Sequence, residues 1–224
     1  MSTNRSYGDD CGIARALDVV GERWALLVVR ELLLGPQRFS DLRRALAGAS
    51  SNLVTDRLRE LEAHGVVRRR TLAPPAGSRV YELTGWGHEL EPAVLALGTW
   101  GVRAPFPAAP ATLTATSVLI YLRAVARPGA EEPAAEYRLE LDNRVWTVRA
   151  EGGRVHLRPG EPEDAAASLR TDPRTLNALI EDPAALDVAL AEGGVVVSGD
   201  MAALRRLLRA GQRAVVAPTV RDQD

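Results

Sequence analysis

The chain has 224 residues, of which 46% are hydrophobic and 25% are charged, and its formal net charge is −1. This composition is that of a globular protein with room for one large domain or two of ordinary size, and it argues against wholesale disorder. A single cysteine excludes an intramolecular disulfide and a cysteine-based zinc finger.

Four short helices are predicted in the first 65 residues, because apolar side chains recur there at helical spacing. Gly21 is expected to stop the first, Gly35-Pro36 the second and Gly65 the fourth, which Ser50 or Ser51 can cap. The apolar positions place these helices at residues 13–20, 22–34, about 39–46 and 52–64.

The fourth predicted helix has two distinct faces. Val54, Leu58 and Leu61 fall on one face, at positions i, i+4 and i+7. The opposite face carries the polar residues Asn52, Thr55, Asp56 and Arg59.

A basic β-hairpin is predicted after this helix. Two strands, 66–71 and 79–83, bracket the turn-rich tip Pro74-Pro75-Ala76-Gly77. A helix pair followed by a basic ribbon is the layout of a winged helix-turn-helix, which is a DNA-reading device. A further predicted helix, Gly87 to Val102, has more apolar surface than a small domain needs to bury, which favours its use in dimerisation.

A second domain is predicted beyond a semi-rigid Pro/Ala segment. The predicted boundaries are 1–103 for the winged helix-turn-helix, 104–111 for the linker and 112–224 for the second domain. Alternating apolar residues and the turn pairs Asp142-Asn143 and Gly152-Gly153 predict an antiparallel meander followed by helices. The predicted elements are a helix at 112–125, strands near 137–141, 146–150, 155–157, 167–171 and 195–197, and helices at 174–180, 184–191 and 201–208.

Several short motifs occur in order along the N-terminal half. They are Cys11, Gly21-Glu22-Arg23-Trp24, Arg38-Phe39-Ser40-Asp41-Leu42, Leu58-Arg59-Glu60-Leu61-Glu62, Gly65-Val66-Val67-Arg68-Arg69, Tyr81-Glu82-Leu83-Thr84 and Trp100-Gly101. With this order and spacing, residues 8–103 resemble the HxlR family of bacterial winged-helix regulators. The resemblance implies a homodimer built through the terminal helices, with one recognition helix and one wing in each protomer.

Three motifs and the closing helix characterise the C-terminal half. The motifs are Tyr137-Arg138-Leu139-Glu140-Leu141, Trp146-Thr147-Val148-Arg149 and Gly193-Gly194-Val195-Val196-Val197-Ser198-Gly199-Asp200. Residues 112–210 thereby resemble a sterol carrier protein-like domain, which implies a sheet covered by helices around an apolar tunnel for a lipid-like or polycyclic molecule. The expected fold class is α+β: an N-terminal winged helix-turn-helix, mainly α with a β-wing, followed by an α/β sterol carrier protein-like domain.

Positive charge is concentrated in the predicted winged helix. Residues 38–79 contain nine arginines against four acids, whereas residues 104–224 contain 14 arginines against 17 acids. A nearly neutral protein can bind DNA when its positive charge lies on one face.

A recognition helix presents a few polar side chains to base edges in the major groove. Asn52, Thr55 and Arg59 are the candidates for that role, and Ser51 is suited to a phosphate. Arg57 lies at the flank, where it either contacts the DNA backbone or braces the helix. For each of these residues a solvated surface position is the alternative.

Other arginines are better placed for phosphate contacts, which supply affinity but no sequence information. Arg43, Arg44 and the wing's Arg79 belong to this group. Arg68, Arg69 and Arg70 alternate across a strand, so at most some of them face DNA, and Arg69 is retained as a candidate.

Cys11 has two interpretations. Some relatives sense electrophiles or oxidants with a cysteine near this position, which requires an accessible thiolate. Here Gly12 follows, where relatives often have proline, and the chain has no second cysteine. A small buried packing residue is therefore the favoured interpretation, and redox sensing is the alternative.

Eight apolar residues of the second domain are candidates for lining a ligand tunnel, with an ordinary hydrophobic core as the alternative. They are Leu119, Leu122, Tyr137, Leu139, Trp146, Val148, Leu176 and Leu179. His64, His88 and His156 have no companions at metal-ligand spacing, and no catalytic arrangement can be nominated. We therefore expect no metal, no cofactor and no enzymatic activity.

The favoured hypothesis is a dimeric repressor that binds a pseudo-palindromic operator in double-stranded DNA. A hydrophobic small molecule in the second domain would modulate it by preferring one of two conformations. In one alternative the second domain is a ligand-free interaction module, and in another it is a lipid or metabolite carrier with secondary DNA binding. Because no signal sequence and no apolar run of ~20 residues is present, we expect a soluble, cytoplasmic protein without a membrane contact.

Overall fold

The structure, a computed structural model, describes residues 6–73, 77–102, 104 and 112–212. The chain divides into two compact units, Met1–Leu97 and Gly98–Asp224. The linker predicted at 104–111 lies outside the described residues except for Ala104, and the predicted hairpin tip does so except for Gly77.

Four helices surround the apolar core of the N-terminal unit. They are α1 (Gly12–Val20), α2 (Ala25–Leu32), α3 (Phe39–Ala45) and α4 (Ser51–Ala63). The prediction that α2 begins at Glu22 is wrong, because Trp24 adopts a left-handed backbone with φ 78°. A left-handed residue cannot continue a right-handed helix, so α2 starts one residue later, at Ala25.

The apolar stripe predicted on the first helix is open within the N-terminal unit. Ile13 is 73% exposed and Leu17 is also exposed, while Ala14 and Val20 are the buried residues of α1. The helix itself is confirmed. The part of its apolar face formed by Ile13 and Leu17 therefore has no cover from the described part of this unit, whereas Val20 at the end of the helix is buried.

Helix α4 follows its predicted pattern closely. The Ser50 hydroxyl accepts a hydrogen bond from the Leu53 amide at 3.2 Å, which settles that Ser50 is the capping residue. Val54, Leu58 and Leu61 are buried, so the predicted inner face is confirmed. Gly65, with φ 74°, ends the helical segment in a conformation that favours glycine.

The wing is a two-stranded antiparallel hairpin, β1 (Val67–Thr71) and β2 (Arg79–Leu83), with Val67 opposite Leu83. Gln37 adds an isolated bridge to its edge. The backbones of Gln37 and Tyr81 exchange two hydrogen bonds of 2.9 and 2.8 Å. The segment that enters α3 is thereby joined to the wing.

The single helix predicted over 87–102 is two helices, α5 (Gly85–His88) and α6 (Glu91–Gly101). Thr84 starts α5, because its hydroxyl accepts from the Gly87 amide at 3.0 Å and donates to the Gly65 carbonyl at 2.7 Å. No residue of α6 is buried, although Leu97 and Trp100 are large apolar side chains.

The C-terminal unit is a five-stranded sheet with helices. The elements are α7 (Ala115–Val125), β3 (Ala135–Leu141), β4 (Arg144–Glu151), β5 (Arg154–Pro159), β6 (Ala165–Thr171), α8 (Pro173–Glu181), a 3₁₀ turn (Pro183–Ala185), α9 (Leu186–Ala191), β7 (Val196–Gly199) and α10 (Met201–Gln212). The strand order is β5-β4-β3-β6-β7, and β6 runs parallel to β3. The predicted all-antiparallel meander is thus wrong at β6, since the chain crosses from β5 to the other edge of β3.

One face of this sheet supplies the core. Tyr137, Leu139 and Leu141 of β3 are buried, which confirms the predicted alternation. Leu119 of α7 and Leu176 of α8 are buried with them. The opposite face carries ion pairs such as Arg138 with Glu161, whose atoms lie 2.8 Å apart.

Candidate DNA-binding surface

The outward face of α4 carries the residues predicted to read base edges. Asn52 is exposed and Thr55 is half-buried, with the Thr55 hydroxyl donating to the Ser51 carbonyl at 2.9 Å. The Arg59 side chain is 68% exposed and lies 3.2 Å from a carboxylate oxygen of Asp56. An exposed pair of this kind contributes at most ~1 kcal/mol, so Arg59 can leave it for a better acceptor.

Arg43 and Ser51 come together at the N-terminus of α4. Nε of Arg43 donates to the Ser51 hydroxyl at 2.9 Å, and Nη1 donates to the Ala49 carbonyl at 2.5 Å. This arginine joins α3 to the start of α4. Its charge therefore lies beside the helix end at which backbone amides favour an anion.

Arg57 lies in a different environment from the other candidates. Its side chain is only 11% exposed, and its Nη1 pairs with the carboxylates of Glu22, at 3.3 Å, and Glu60. Of the two roles considered for Arg57, this geometry fits a brace between the α1–α2 turn and α4. A contact with DNA would require Arg57 to leave both carboxylates.

The wing arginines divide between its two faces. Nε of Arg68 and Nε of Arg70 donate to the two oxygens of Glu82, at 2.8 and 2.9 Å. Arg69 points the other way, 2.9 Å from Glu62 and over the ring of Tyr81 at 5.5 Å. Each wing arginine of β1 is therefore partly neutralised by a carboxylate.

The remaining phosphate candidates are more open. Arg44 is exposed and lies 3.5 Å from Asp41, while Arg79 is exposed at the start of β2. Within the described residues, Arg38, Arg43 and Arg79 form no ion pair with a carboxylate. These three arginines hold the uncompensated positive charge of the surface.

Two contributors to this surface were missed by sequence reasoning. Glu82 sits opposite Arg68 in the hairpin register, so a cross-strand charge pair was readable once both strands had been predicted. Gln37 gave no such signal, because a single polar residue before a helix does not indicate a backbone bridge to a distant strand.

Cys11 is exposed, so the favoured interpretation of a buried packing residue is wrong. It occupies the residue before α1, and its backbone amide donates to Asp9 at 2.8 Å. The neighbouring Ile13 of α1 is exposed as well.

The eight ligand candidates of the C-terminal unit are all buried. Tyr137 lines a pocket of about 170 Å³, which also involves Ala135 and Ala150. The other seven lie in the packed interior, each at most 1% exposed. Their positions therefore fit the hydrophobic core that was the alternative to a tunnel.

Membrane-spanning and metal-binding features are both absent from the part of the chain that the structure describes. No helix in that part is long and apolar enough to cross a membrane. Within the same residues, no group of three or more His, Cys, Asp or Glu side chains is placed to hold a metal ion.

Both halves of the chain match models of known families. Residues 19–105 match the model described as HxlR-like helix-turn-helix, and residues 123–210 match the SCP-2 sterol transfer family. The first match contains α4 and the wing, which carry the candidate residues described above.

Several similar proteins align with the N-terminal half. An uncharacterized HTH-type transcriptional regulator of Synechocystis sp. is 39% identical over 95 residues, which are 42% of this chain and 70% of that protein. The regulator YvaP of Bacillus subtilis is 37% identical over 86 residues, covering 38% of this chain and 80% of its own. Among solved structures, the redox regulator HypR in its oxidized form is 33% identical with a TM-score of 0.40, and the alignment covers 43% of this chain and all of that one.

Proposed function

We propose that this chain, which belongs to the HxlR-like helix-turn-helix family, is a homodimeric repressor that reads a pseudo-palindromic operator with α4 and its wing. The curated relatives are transcriptional regulators, and the winged helix-turn-helix is present. The observation that carries the proposal is the exposed polar face of α4, bordered by arginines that have no described carboxylate partner.

The side chains of α4 have the chemistry that base edges require. The Asn52 amide matches the donor and acceptor of adenine, and the Arg59 guanidinium matches the two acceptors of guanine. The hydroxyl of Thr55 donates a hydrogen bond to the Ser51 carbonyl. The methyl group of Thr55 therefore remains available to contact the methyl group of thymine.

Phosphate contacts would come from both ends of this surface. Arg43 lies beside Ser51 and the N-terminus of α4, where the helix dipole adds to its charge. Arg79 lies on the wing with no described carboxylate partner. These contacts fix the register of the protein on the duplex and make its affinity depend on salt.

The dimer is supported by apolar surface that the protomer leaves open. Helix α6 has no buried residue, and Leu97 and Trp100 project from it. In the N-terminal unit, Ala16 of α1 and Trp86 of α5 also line a groove of about 440 Å³. Open apolar helices of this kind are typical of a subunit interface, and a two-fold dimer would present two copies of α4 to a palindromic site.

The C-terminal unit is the proposed effector domain. Its match to the SCP-2 sterol transfer family supports the binding of a hydrophobic small molecule. Such a molecule changes DNA affinity only if it prefers one of two conformations of the dimer. We propose repression because a dimer seated on an operator excludes other proteins from the same DNA.

The test is fluorescence anisotropy with DNA that flanks the protein's own coding region, against an unrelated duplex, across a salt series. We expect tight binding to the native fragment alone, with log affinity falling linearly with log salt concentration. Equal and weak binding to both duplexes would contradict an operator in that DNA.

The packed interior favours a second candidate function for the C-terminal unit, a ligand-free interaction module. Seven of the eight residues expected to line a tunnel are in the closed core. Native mass spectrometry separates the two candidates. A bound molecule, or uptake from a lipid panel, supports the effector domain, whereas an empty protein that takes up nothing supports the interaction module.

A further inference from the structure

The C-terminal unit has a pocket of about 170 Å³ beside the loop that joins α7 to β3. Pro128, Pro133, Ala135 and Ala150 supply apolar surface to its wall. A cavity of ~150 Å³ holds a benzene ring, while pockets for larger ligands occupy roughly 300–1,000 Å³. The size therefore suits a single ring or a short chain and excludes a sterol or a long acyl chain within this pocket.

Tyr137 brings a hydrogen-bond donor to the pocket wall. The residue is 3% exposed and is one of the residues that line the pocket. Burial raises the pKa of Tyr137, against the positive charge of Arg206, so the phenol is neutral and keeps its proton. A tyrosine hydroxyl in a pocket wall can donate a hydrogen bond to an acceptor atom on a ligand.

Arg206 of α10 gives the pocket a positive charge next to that hydroxyl. It also lines an adjoining pocket of about 100 Å³, together with Arg127 and Arg209. The ion pair of Arg206 with Asp200 is long, at 3.9 Å, and both side chains are about half exposed. Arg206 is therefore available to a carboxylate, with which it can form a charge-assisted hydrogen bond.

Two carboxylates also line the pocket. Glu151 accepts two hydrogen bonds from Arg149, at 2.9 and 3.0 Å, which hold its charge against that guanidinium and lower its pKa. Glu132 is exposed and has no described ion pair. The negative charge of Glu132 repels an anionic ligand. Removing this charge should therefore raise the affinity for an anion, whereas removing the charge of Arg206 should lower it.

We propose that this pocket binds a small organic acid, whose carboxylate lies against Tyr137 and Arg206 and whose ring or short chain lies against Pro133, Ala135 and Ala150. The inference assigns a ligand class to the proposed effector domain. Any effect of this ligand on DNA binding rests on the proposed function. It places the ligand at the loop before β3 and outside the packed interior.

The test is a titration of the ¹⁵N-labelled full chain followed by two-dimensional NMR. The probes are benzoate, its uncharged analogue benzamide, and palmitate. Benzoate is expected to shift the amides of Gly129, Ala135 and Ala150, with an affinity at least about tenfold higher than that of benzamide. The proposal is overturned if benzoate shifts none of these amides or if benzoate and benzamide bind with equal affinity. It is also overturned if only palmitate binds and the amides that it shifts lie in the packed interior.

Variants of three side chains make the test specific. Arg206→Gln is expected to reduce benzoate affinity about tenfold or more, and Glu132→Gln to increase it. Arg205→Gln is the matched control, because Arg205 lies on the same helix and pairs with Asp187 at 2.5 Å. An equal loss in the Arg205 and Arg206 variants would overturn the assignment of the charge to Arg206.

Operator binding is measured separately on the same samples. Benzoate binding without a change in operator affinity supports the pocket and contradicts the regulatory coupling. A ligand-free chain that binds no operator contradicts the proposed DNA function, and the NMR titration still decides the pocket.

Discussion

Trp24 and Gly48 are in contact across the helix-turn-helix, since a methyl group on Gly48 would lie 2.9 Å from Cη2 of the indole. Trp24 has a left-handed backbone, a conformation that costs a non-glycine residue about 1–3 kcal/mol. Gly48 lies just before the Ser50 cap of α4. The contact therefore links a strained turn to the start of α4.

Gly48→Ala is expected to lower the free energy of unfolding by about 1–3 kcal/mol, because the added methyl group overpacks the indole contact. Urea denaturation monitored by tryptophan fluorescence measures the change. Gly85→Ala is the control, since a Cβ at that position would meet no described atom within 4 Å apart from its chain neighbours and the backbone of its own helix. Equal denaturation midpoints for the two variants would show that the Trp24 side chain can move away from the added methyl group without a loss of stability.

Glu82→Gln is expected to strengthen DNA binding. The buried carboxylate of Glu82 accepts hydrogen bonds from Arg68 and Arg70, and a neutral amide would release their charge to phosphates. The slope of log affinity against log salt should steepen by about 0.9 for each additional phosphate that the released arginines neutralise. Glu140→Gln, which removes a partner of Arg138 in the other unit, should leave the slope unchanged.

Arg59→Ala and Arg79→Ala should weaken DNA binding in different ways. Loss of a base contact by Arg59 is expected to cost about 1–3 kcal/mol on the operator and to relax specificity. Loss of a phosphate contact by Arg79 should weaken operator and unrelated DNA alike and reduce the salt slope by about 0.9. Anisotropy on both duplexes distinguishes the two results, and unchanged operator affinity in the Arg59 variant would contradict the assignment of α4 as the recognition helix.

Leu97→Asp is expected to convert the proposed dimer to a monomer, because it places a charge on the open apolar helix α6. Light scattering coupled to size-exclusion chromatography gives the molar mass directly. Val188→Asp changes an exposed apolar residue on α9 and should leave the mass unaltered. A dimer that survives the Leu97 change would exclude this helix from the interface.

Asp172→Ala should destabilise the C-terminal unit by about 0.5–2 kcal/mol at neutral pH, since Asp172 caps α8 through the amides of Arg174 and Thr175. Burial raises the pKa of Asp172, but the hydrogen bonds from Thr175 and Arg174 lower it by more. The pKa is therefore below its ordinary value of about 3.9. The charged cap stabilises the fold above that value, and its contribution is lost as the pH falls through the lowered pKa.

Denaturation midpoints measured from neutral to acidic pH follow this contribution. The difference between the parent chain and the Asp172→Ala variant should shrink below about pH 4. Asp172→Asn keeps a capping oxygen but cannot titrate, so its stability should lack this part of the pH dependence. A constant difference across the range would contradict the assignment.

The spacing of apolar residues correctly predicted the buried faces of a helix and a strand. The inner face of α4 and the alternation of β3 follow from spacing alone, and both are present. The start of α2 depends on one dihedral angle at Trp24, and the break between α5 and α6 depends on the Thr84 cap. Neither changes the apolar spacing, so neither was visible in it.

The sequence predicted exposed residues of the candidate surface, but it did not predict which of its arginines are paired with carboxylates. The exposure of Asn52 and Arg59 follows from the helix pattern. The burial of Arg57 does not, because Glu22 reaches it only after the α1–α2 turn has packed on α4, whereas Glu60 is its i,i+3 neighbour within α4. Counting charges along residues 38–79 therefore overstated the positive charge that is free to meet DNA.

The parallel pairing of β6 with β3 has a consequence for the order of folding. Strands β3, β4 and β5 pair as neighbours along the chain, whereas β6 pairs with β3 although β4 and β5 lie between them in sequence. Non-local pairing of this kind slows folding, and domains generally fold as units during synthesis, from the N-terminus onward. We expect the winged helix to be complete while the ribosome still holds β6 and β7, leaving an edge of β3 temporarily unpaired. In that interval a nascent chain would expose a folded winged helix before the sheet of its C-terminal unit is complete.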